Sequence, residues 1–249
     1  MKVIIDADTV AFASAASAGD DSELWVATSR ANQWIENIIR DTNADIYELW
    51  LSGPTNFRYG VYPEYKANRL TAHRPKWEKE TKQFLVDNWQ ANWSVDCEAD
   101  DMVGVRQCTQ KDTIIAHIDK DINMIPGWHY NWELTRQGKV IREAKTYFIT
   151  NDEANRFFWY QLLVGDPGTD NIKGVPGIGP KTADKILDST PKADWYKAIL
   201  DLYSCEEELD MNAQCLFIWR RLNDNWRNLL NDASRSQSER PVLSTICER

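Results

Sequence analysis

The chain has no run of apolar residues long enough to cross a membrane. At its start only Val3-Ile4-Ile5 stands between Met1-Lys2 and Asp6, too little for the apolar segment of a secretory leader. The five cysteines, at 97, 108, 205, 215 and 247, have no zinc-binding spacing. An odd number of cysteines without a leader implies reduced thiols and a cytoplasmic protein. Positive charge is short, with 29 Lys and Arg against 38 Asp and Glu, a net −9 that argues against a uniformly basic, polyanion-binding surface. There is no internal repeat.

What is present suffices for a packed core. The 249 residues are 43% hydrophobic, enough for one domain, or for one domain and a small lobe. The twelve tryptophans are expected mainly in the core. The charge is uneven. Residues 58–82 carry seven Lys/Arg against three Glu, and 173–197 five Lys against three Asp. Val3–Ile5, Ile46–Leu51 and Thr113–Ile118 read as buried strands, with a helical pattern at Ala31, Trp34, Ile35 and Ile38 between the first two. That alternation predicts a parallel α/β sheet, whose ligand sites lie beyond the carboxyl ends of its strands. Trp93–Val95 reads as another strand, and a β-hairpin is expected around Arg136–Lys139. Helical patterns follow at 152–164, 193–203 and 206–230, and the tail from Asn231 to Arg249 is Ser- and Arg-rich, with partial disorder expected.

Carboxylates gather at the expected strand ends. Asp6 and Asp8 are two apart and face one side of an extended backbone, or else simply cap a helix. Asp119 and Asp121 follow Thr113–Ile118 in the same spacing, as a polar turn also could. Glu98, Asp100 and Asp101 fall within four residues. A helix dipole accounts for one or two acids in a first turn, but three repel one another unless a cation lies among them. Glu98 and Asp101 would share a helix face. Lys66 and Arg69 would share another, where a solvated basic helix start is the plain alternative. His73 reads as a surface residue and His117 as a core one.

The most specific stretch is Gly165–Leu187, GDPGTDNIKGVPGIGPKTADKIL. Asp166 and Asp170 precede a Gly/Pro-rich turn, and Gly179-Pro180 reads as a helix start. Gly174, Gly177 and Gly179 allow close backbone approach, and the amides before Lys181 and Thr182 suit a phosphate.

This string resembles the helix–hairpin–helix signature of the structure-specific 5′-nucleases: flap endonucleases, the 5′-nuclease domain of bacterial DNA polymerase I, and phage 5′→3′ exonucleases. The resemblance extends in motif order over roughly 1–230. It includes the Asp of β-strand one, the E-A-D-D at 98–101, the D-K-D at 119–121 and the F-R-Y-G-V-Y-P-E-Y-K-A-N-R run from Phe57 to Arg69. One extra residue separates Asp166 from Asp170. The resemblance implies an α/β, PIN-like nuclease core with a central, mainly parallel sheet at 1–155, its basic arch near 58–82. A helix–hairpin–helix lobe would fill 156–230, with the tail at 231–249.

It further implies hydrolysis of DNA phosphodiester bonds at or near 5′ ends, nicks or flaps, in replication or repair. Asp6, Asp8, Glu98, Asp100, Asp101, Asp119, Asp121, Asp166 and Asp170 would hold two Mg²⁺ ions, with Mn²⁺ able to substitute. Lys66 and Arg69 would be catalytic, neutralising the reacting phosphate. Arg58, Tyr65, Gly174, Gly177, Gly179, Lys181 and Thr182 would contact DNA, with a K⁺ ion at the hairpin. A monomer without membrane contact is expected, in the host cytoplasm if the chain is phage-encoded. The family's metal-linked Asp at the end of the second strand is missing. Leu51-Ser52-Gly53-Pro54 stands there, and Asp8 is either its substitute or a helix cap. The alternatives are a catalytically weak DNA-binding homologue, a PIN-type ribonuclease, and another helix–hairpin–helix protein such as a glycosylase, which leaves the dispersed acids unexplained.

Overall fold

The computed structural model describes residues 1–136 and 139–232. Strand β1 (Lys2–Asp6) runs into helix α1 (Ala7–Ala18), followed by α2 (Leu24–Asp41), β2 (Ile46–Leu51) and the short α3 (Arg58–Val61). A 3₁₀ turn at Ala67–Thr71 precedes α4 (Glu78–Trp89), β3 (Asn92–Trp93), α5 (Ala99–Thr109), β4 (Thr113–Ala116) and β5 (Gly127–Asn131). Then come β6 (Leu134–Arg136), β7 (Lys139–Arg142), β8 (Lys145–Ile149), α6 (Asn151–Val164), β9 (Gly165–Asp166) and β10 (Ile172–Lys173). Helices α7 (Pro180–Ser189), α8 (Trp195–Leu200), α9 (Glu206–Leu216) and α10 (Asn228–Asp232) complete the described chain.

The main sheet has the order β3-β2-β1-β4-β5-β8. Its first five strands pair in parallel and β8 pairs antiparallel to β5. The central strands are buried on both faces, which is why they read as near-continuous apolar runs. Val3, Ile5, Ile114 and Ala116 pack with α1, α2 and α4, while Ile4 and Ile115 pack on the opposite face with α5 and α6. That second cluster continues without a break into Leu187, Ile199 and Leu209 of the C-terminal helices and Trp226 in the turn before α10. The helices after α6 therefore share one core with the sheet.

Local signals mark several helix starts. Asp6 caps α1, accepting from the Thr9 amide at 3.3 Å. Thr150 and Glu153 form a reciprocal capping box at the start of α6. Gly179 followed by Pro180 opens α7.

Two expectations need correction. The third strand spans only Asn92–Trp93: the Ser94 amide still donates to the Leu51 carbonyl at 2.8 Å, but its hydroxyl donates to the Cys97 carbonyl at 2.6 Å and closes a turn. The helical pattern at 206–230 ends at Leu216, where Phe217 turns extended (φ −70°, ψ 127°). Tertiary bonds override the pattern there. Arg58 takes the Cys215 and Phe217 carbonyls at 2.8 Å each, and the Trp219 amide donates to Asp101 at 3.1 Å. The segment passes so close to α5 that a Cβ on Gly104 would lie 2.3 Å from the Trp219 carbonyl oxygen. The expected hairpin forms from antiparallel β6 and β7, although Gln137 and Gly138 at its tip lie outside the described residues. So does the expected tail beyond Asp232. Among the described residues no helix is long and apolar enough to cross a membrane, and Cys97, Cys108, Cys205 and Cys215 are unpaired.

Candidate metal and nucleic-acid site

Parallel strands direct their carboxyl ends to one edge of the sheet, and the acids collect there. Asp6 ends β1, Asp119 and Asp121 follow β4, and Glu98 and Asp100 lie at the start of α5. Their fields overlap. Burial and the neighbouring Asp8 carboxylate push the Asp6 pKa up to about 7, against opposing bonds from Thr9. Burial and Asp119 do the same to Asp121, also to about 7. Burial, with Asp6 and Asp119 adding repulsion, holds Asp100 well above the usual carboxylate range. A group of acids that resist ionising together is a group that a cation would stabilise.

A second set of carboxylates is closed by lysines and an arginine. Lys66 forms a short ion pair with Glu98 and lies 3.7 Å from Asp170. Arg69 reaches Asp170 at 3.0 Å, and the Tyr65 hydroxyl lies 3.0 Å from Glu98 and 3.1 Å from Asp170. Burial alone would raise the Glu98 pKa, but Lys66 and Arg58 hold it below the ordinary value. At Asp170 burial prevails over Lys66, and its pKa is raised. Lys120 bridges Asp166 at 2.9 Å and Asp121 at 3.2 Å. Burial at Asp166 is outweighed by Lys120 and Thr169, so its pKa is lowered. The extra residue between Asp166 and Asp170 is absorbed in a turn. Asp170 N donates to the Asp166 carbonyl, and Asn68 and Arg69 bind the outward carbonyls of Gly168 and Thr169.

Lys66 and Arg69 converge on the carboxylates, but not from one face of an α-helix. Lys66 is left-handed (φ +56°) and starts the 3₁₀ turn, held by its amide bond to the Asp170 carbonyl at 3.0 Å.

Arg58 and Asp101 require a larger correction. Arg58 is 2% exposed and Asp101 0%. They form a bidentate pair at 2.5 and 2.9 Å. Asp101 also accepts from the Glu98 and Trp219 amides. With its lone pairs engaged and no solvent contact, Asp101 is closed to a metal ion, and Arg58 is closed to a DNA phosphate. Asp8 does not cap α1. It accepts from the Ser52 amide at 3.0 Å and pairs with Lys82 at 2.7 Å.

At the hairpin, Gly165 and Gly174 cross so closely that a Cβ on either would meet backbone within 2.5 Å. Gly177 (φ +79°) and Gly179 face open space, and Lys181 and Thr182 are exposed at the start of α7. His73 is on the surface beside Asp20, and His117 is buried against His129.

Every acid gathered here offers carboxylate oxygen, a donor that divalent cations take. Among the described residues no three His, Cys, Asp or Glu side chains yet converge on a point that could hold an ion. Lysines instead take up carboxylates of the set: Lys66 pairs with Glu98, Lys120 with Asp166 and Lys82 with Asp8. Lys82, Lys120 and Gln161, which donates to Asp121, were not singled out in the sequence. Gln161, buried on the apolar face of α6, had a legible signal as a polar residue out of pattern.

No family profile matches the chain. DNA polymerase I of Bacillus subtilis is 32% identical over 152 residues, 55% of this chain and 17% of the polymerase. Flap endonuclease Xni of Shewanella piezotolerans is 27% identical over 174 residues, 65% of this chain and 63% of that enzyme. The chain thus spans less than two thirds of either relative. The flap endonuclease of bacteriophage T5, solved as a pseudo-enzyme-product complex with DNA and metal ions, superposes with a TM-score of 0.61 at 21% identity. That match covers 86% of this chain and 88% of the phage chain, and it shows a shared fold.

Proposed function

We infer that this chain, a homologue of flap endonuclease Xni and of the 5′-nuclease domain of DNA polymerase I, hydrolyses DNA phosphodiester bonds at or near 5′ ends. The observation that carries this reading is the placement of Lys66 and Arg69 directly against Glu98 and Asp170, beside the strand-end acids and the outward-facing hairpin. Asp6, Glu98, Asp100, Asp119, Asp121, Asp166 and Asp170 are the residues proposed to hold divalent ions, Mg²⁺ by preference. A bound ion of this class supplies charge neutralisation and a more acidic water. The chain's own residues do the rest. Lys66 and Arg69 place positive charge where a phosphate would approach the carboxylates, and Tyr65 fixes Glu98 and Asp170 relative to each other. The glycines before α7 and Lys181 grip duplex backbone without reading bases. The proposed division of labour is catalysis by the 1–155 core and duplex binding by the 156–230 lobe.

The test is cleavage of 5′-labelled duplex, nicked and flap DNA with Mg²⁺ and with excess EDTA. Shortened products only with the ion are expected, and cleavage in EDTA would refute the reading. The second reading, a homologue that binds DNA and cuts weakly, is favoured by the missing carboxylate at Ser52–Gly53. It predicts structure-selective binding with little product.

A further inference from the structure

Helix α3 is a single turn with opposite fates for adjacent residues. Arg58 is buried and locked by Asp101 and two backbone carbonyls. Its backbone amide donates to the Asn56 side-chain oxygen at 3.1 Å. Tyr59, the next residue, is 50% exposed. Its ring meets Tyr65 edge-on, with centroids 5.8 Å apart and planes at 67°. Tyr65 in turn touches both Glu98 and Asp170, and the Lys66 ammonium lies 4.9 Å from the Tyr65 ring centre.

A single exposed aromatic on a surface is ordinary. This one differs in two respects. It stands one ring away from the residues proposed to handle the reacting phosphate, and the ring it rests against, Tyr65, is itself buried and bonded to Glu98 and Asp170. A ring seated against so fixed a neighbour has part of its surface covered and the rest open to a flat ligand. Every nucleobase offers such a flat face, and base–aromatic stacking tolerates any sequence.

We propose that Tyr59 is a stacking platform for the base of the nucleotide adjoining the phosphate that Lys66 and Arg69 face, and so helps set which nucleotide is presented for cleavage. The proposal rests on the nuclease reading above. Tyr59 is a binding and specificity residue and takes no part in proton or charge transfer.

The experiment uses the full chain without divalent ion and a 5′-flap DNA carrying 2-aminopurine at the nucleotide next to the junction. Wild-type protein should quench the probe on binding. Tyr59→Ala should abolish the quenching and weaken binding by about 5- to 150-fold for all sequences alike. Tyr59→Phe should retain both, since stacking needs the ring and not the hydroxyl. An unmoved melting temperature would show that Tyr59→Ala is folded. Replacing the probed nucleotide by an abasic one should weaken wild-type binding by a similar factor and leave Tyr59→Ala no weaker than before. Wild-type affinity and quenching in Tyr59→Ala, or an equal further loss on abasic DNA, would overturn the proposal. Wild-type protein that binds no DNA of any structure would overturn the nuclease reading itself, which is a separate and visible failure.

Discussion

The Arg58–Asp101 pair allows a quantitative prediction. Arg58→Met leaves the Asp101 carboxylate without its counter-charge at a side chain with no solvent contact. Asp101→Leu strands the guanidinium, because in the intact pair it is Asp101 that outweighs burial and holds the Arg58 pKa well above its ordinary value. Breaking a buried pair from either side costs about 3–5 kcal/mol. Making both changes together removes both stranded charges. What then remains is four backbone groups that lose partners: the Cys215 and Phe217 carbonyls and the Glu98 and Trp219 amides. At about 1 kcal/mol each, the double variant should lose about 4 kcal/mol, against about 6–10 for the summed single losses. The coupling energy is therefore about 2–6 kcal/mol.

Urea unfolding followed by tryptophan fluorescence measures all four chains, and Trp219 and Trp226 lie in the affected cluster. Additivity within about 0.5 kcal/mol, or an Arg58→Met loss below about 1 kcal/mol, would refute the account. The same variants settle a functional question. If Asp101 is only the anchor described here, the folded double variant should bind Mn²⁺ as wild type does. Weakened Mn²⁺ binding in a chain that still unfolds cooperatively would return Asp101 to the ligand set.

Lys66→Met should tighten divalent-ion binding while lowering cleavage, because Lys66 competes for Glu98 and Asp170 yet is needed at the phosphate. Calorimetry beside a cleavage assay would show that split, and parallel losses in both would contradict it. Asp6 and Asp121 have folded pKa values of about 7 against an ordinary 3.8. Between about pH 4 and 7 the ion-free folded chain thus holds more protons than the unfolded one, so these groups lower stability as pH rises and level off above 7. The wild-type minus Asp121→Asn difference in melting temperature should follow that fall, and a rising difference would reverse the assignment. Lys181→Ala should reduce the salt slope of log K for duplex DNA by about 0.9, and an unchanged slope would remove Lys181 from the interface.

The features visible in the sequence are those that chain neighbours decide. Val3–Ile5 ending in Asp6 could be read because a two-sided buried strand is apolar throughout and its end is marked by a charge. Gly179-Pro180 could be read because helix entry is a matter of a few residues. Arg58 and Asp101 could not, since their meaning depends on a partner 43 positions away and on carbonyls more than 150 positions away. In the sequence a basic residue in a basic segment looks like a phosphate ligand, and an acid in an acidic motif looks like a metal ligand. Burial reverses both. The end of α9 was hidden for the same reason, because Leu216 onward keeps a helical apolar spacing while its backbone bonds to Arg58 and Asp101 instead.

Asp8 is the residue on which the missing carboxylate turns. Two sequence readings were open, and the helix-cap reading fails because Asp6 caps α1. What Asp8 does instead is carry a carboxylate to the end of β2. One oxygen accepts from the Ser52 amide, at the place where this chain has no acid of its own. Its charge also raises the Asp6 pKa, so it belongs to the same electrostatic group. The other oxygen pairs with Lys82 on α4, which could make Asp8 nothing more than an anchor for that helix. Substitutions of the two partners separate these roles. Asp8→Asn keeps an acceptor for Ser52 and removes the charge, while Lys82→Met removes the competing cation. If Asp8 supplies charge to a bound ion, Asp8→Asn should weaken Mn²⁺ binding and Lys82→Met should strengthen it. An anchor alone predicts that both variants lose similar stability, about 1–3 kcal/mol for a largely covered charged pair, with Mn²⁺ affinity unmoved. Opposite shifts in affinity would place the lost carboxylate at Asp8, and matched stability losses without them would leave the β2 end without a substitute.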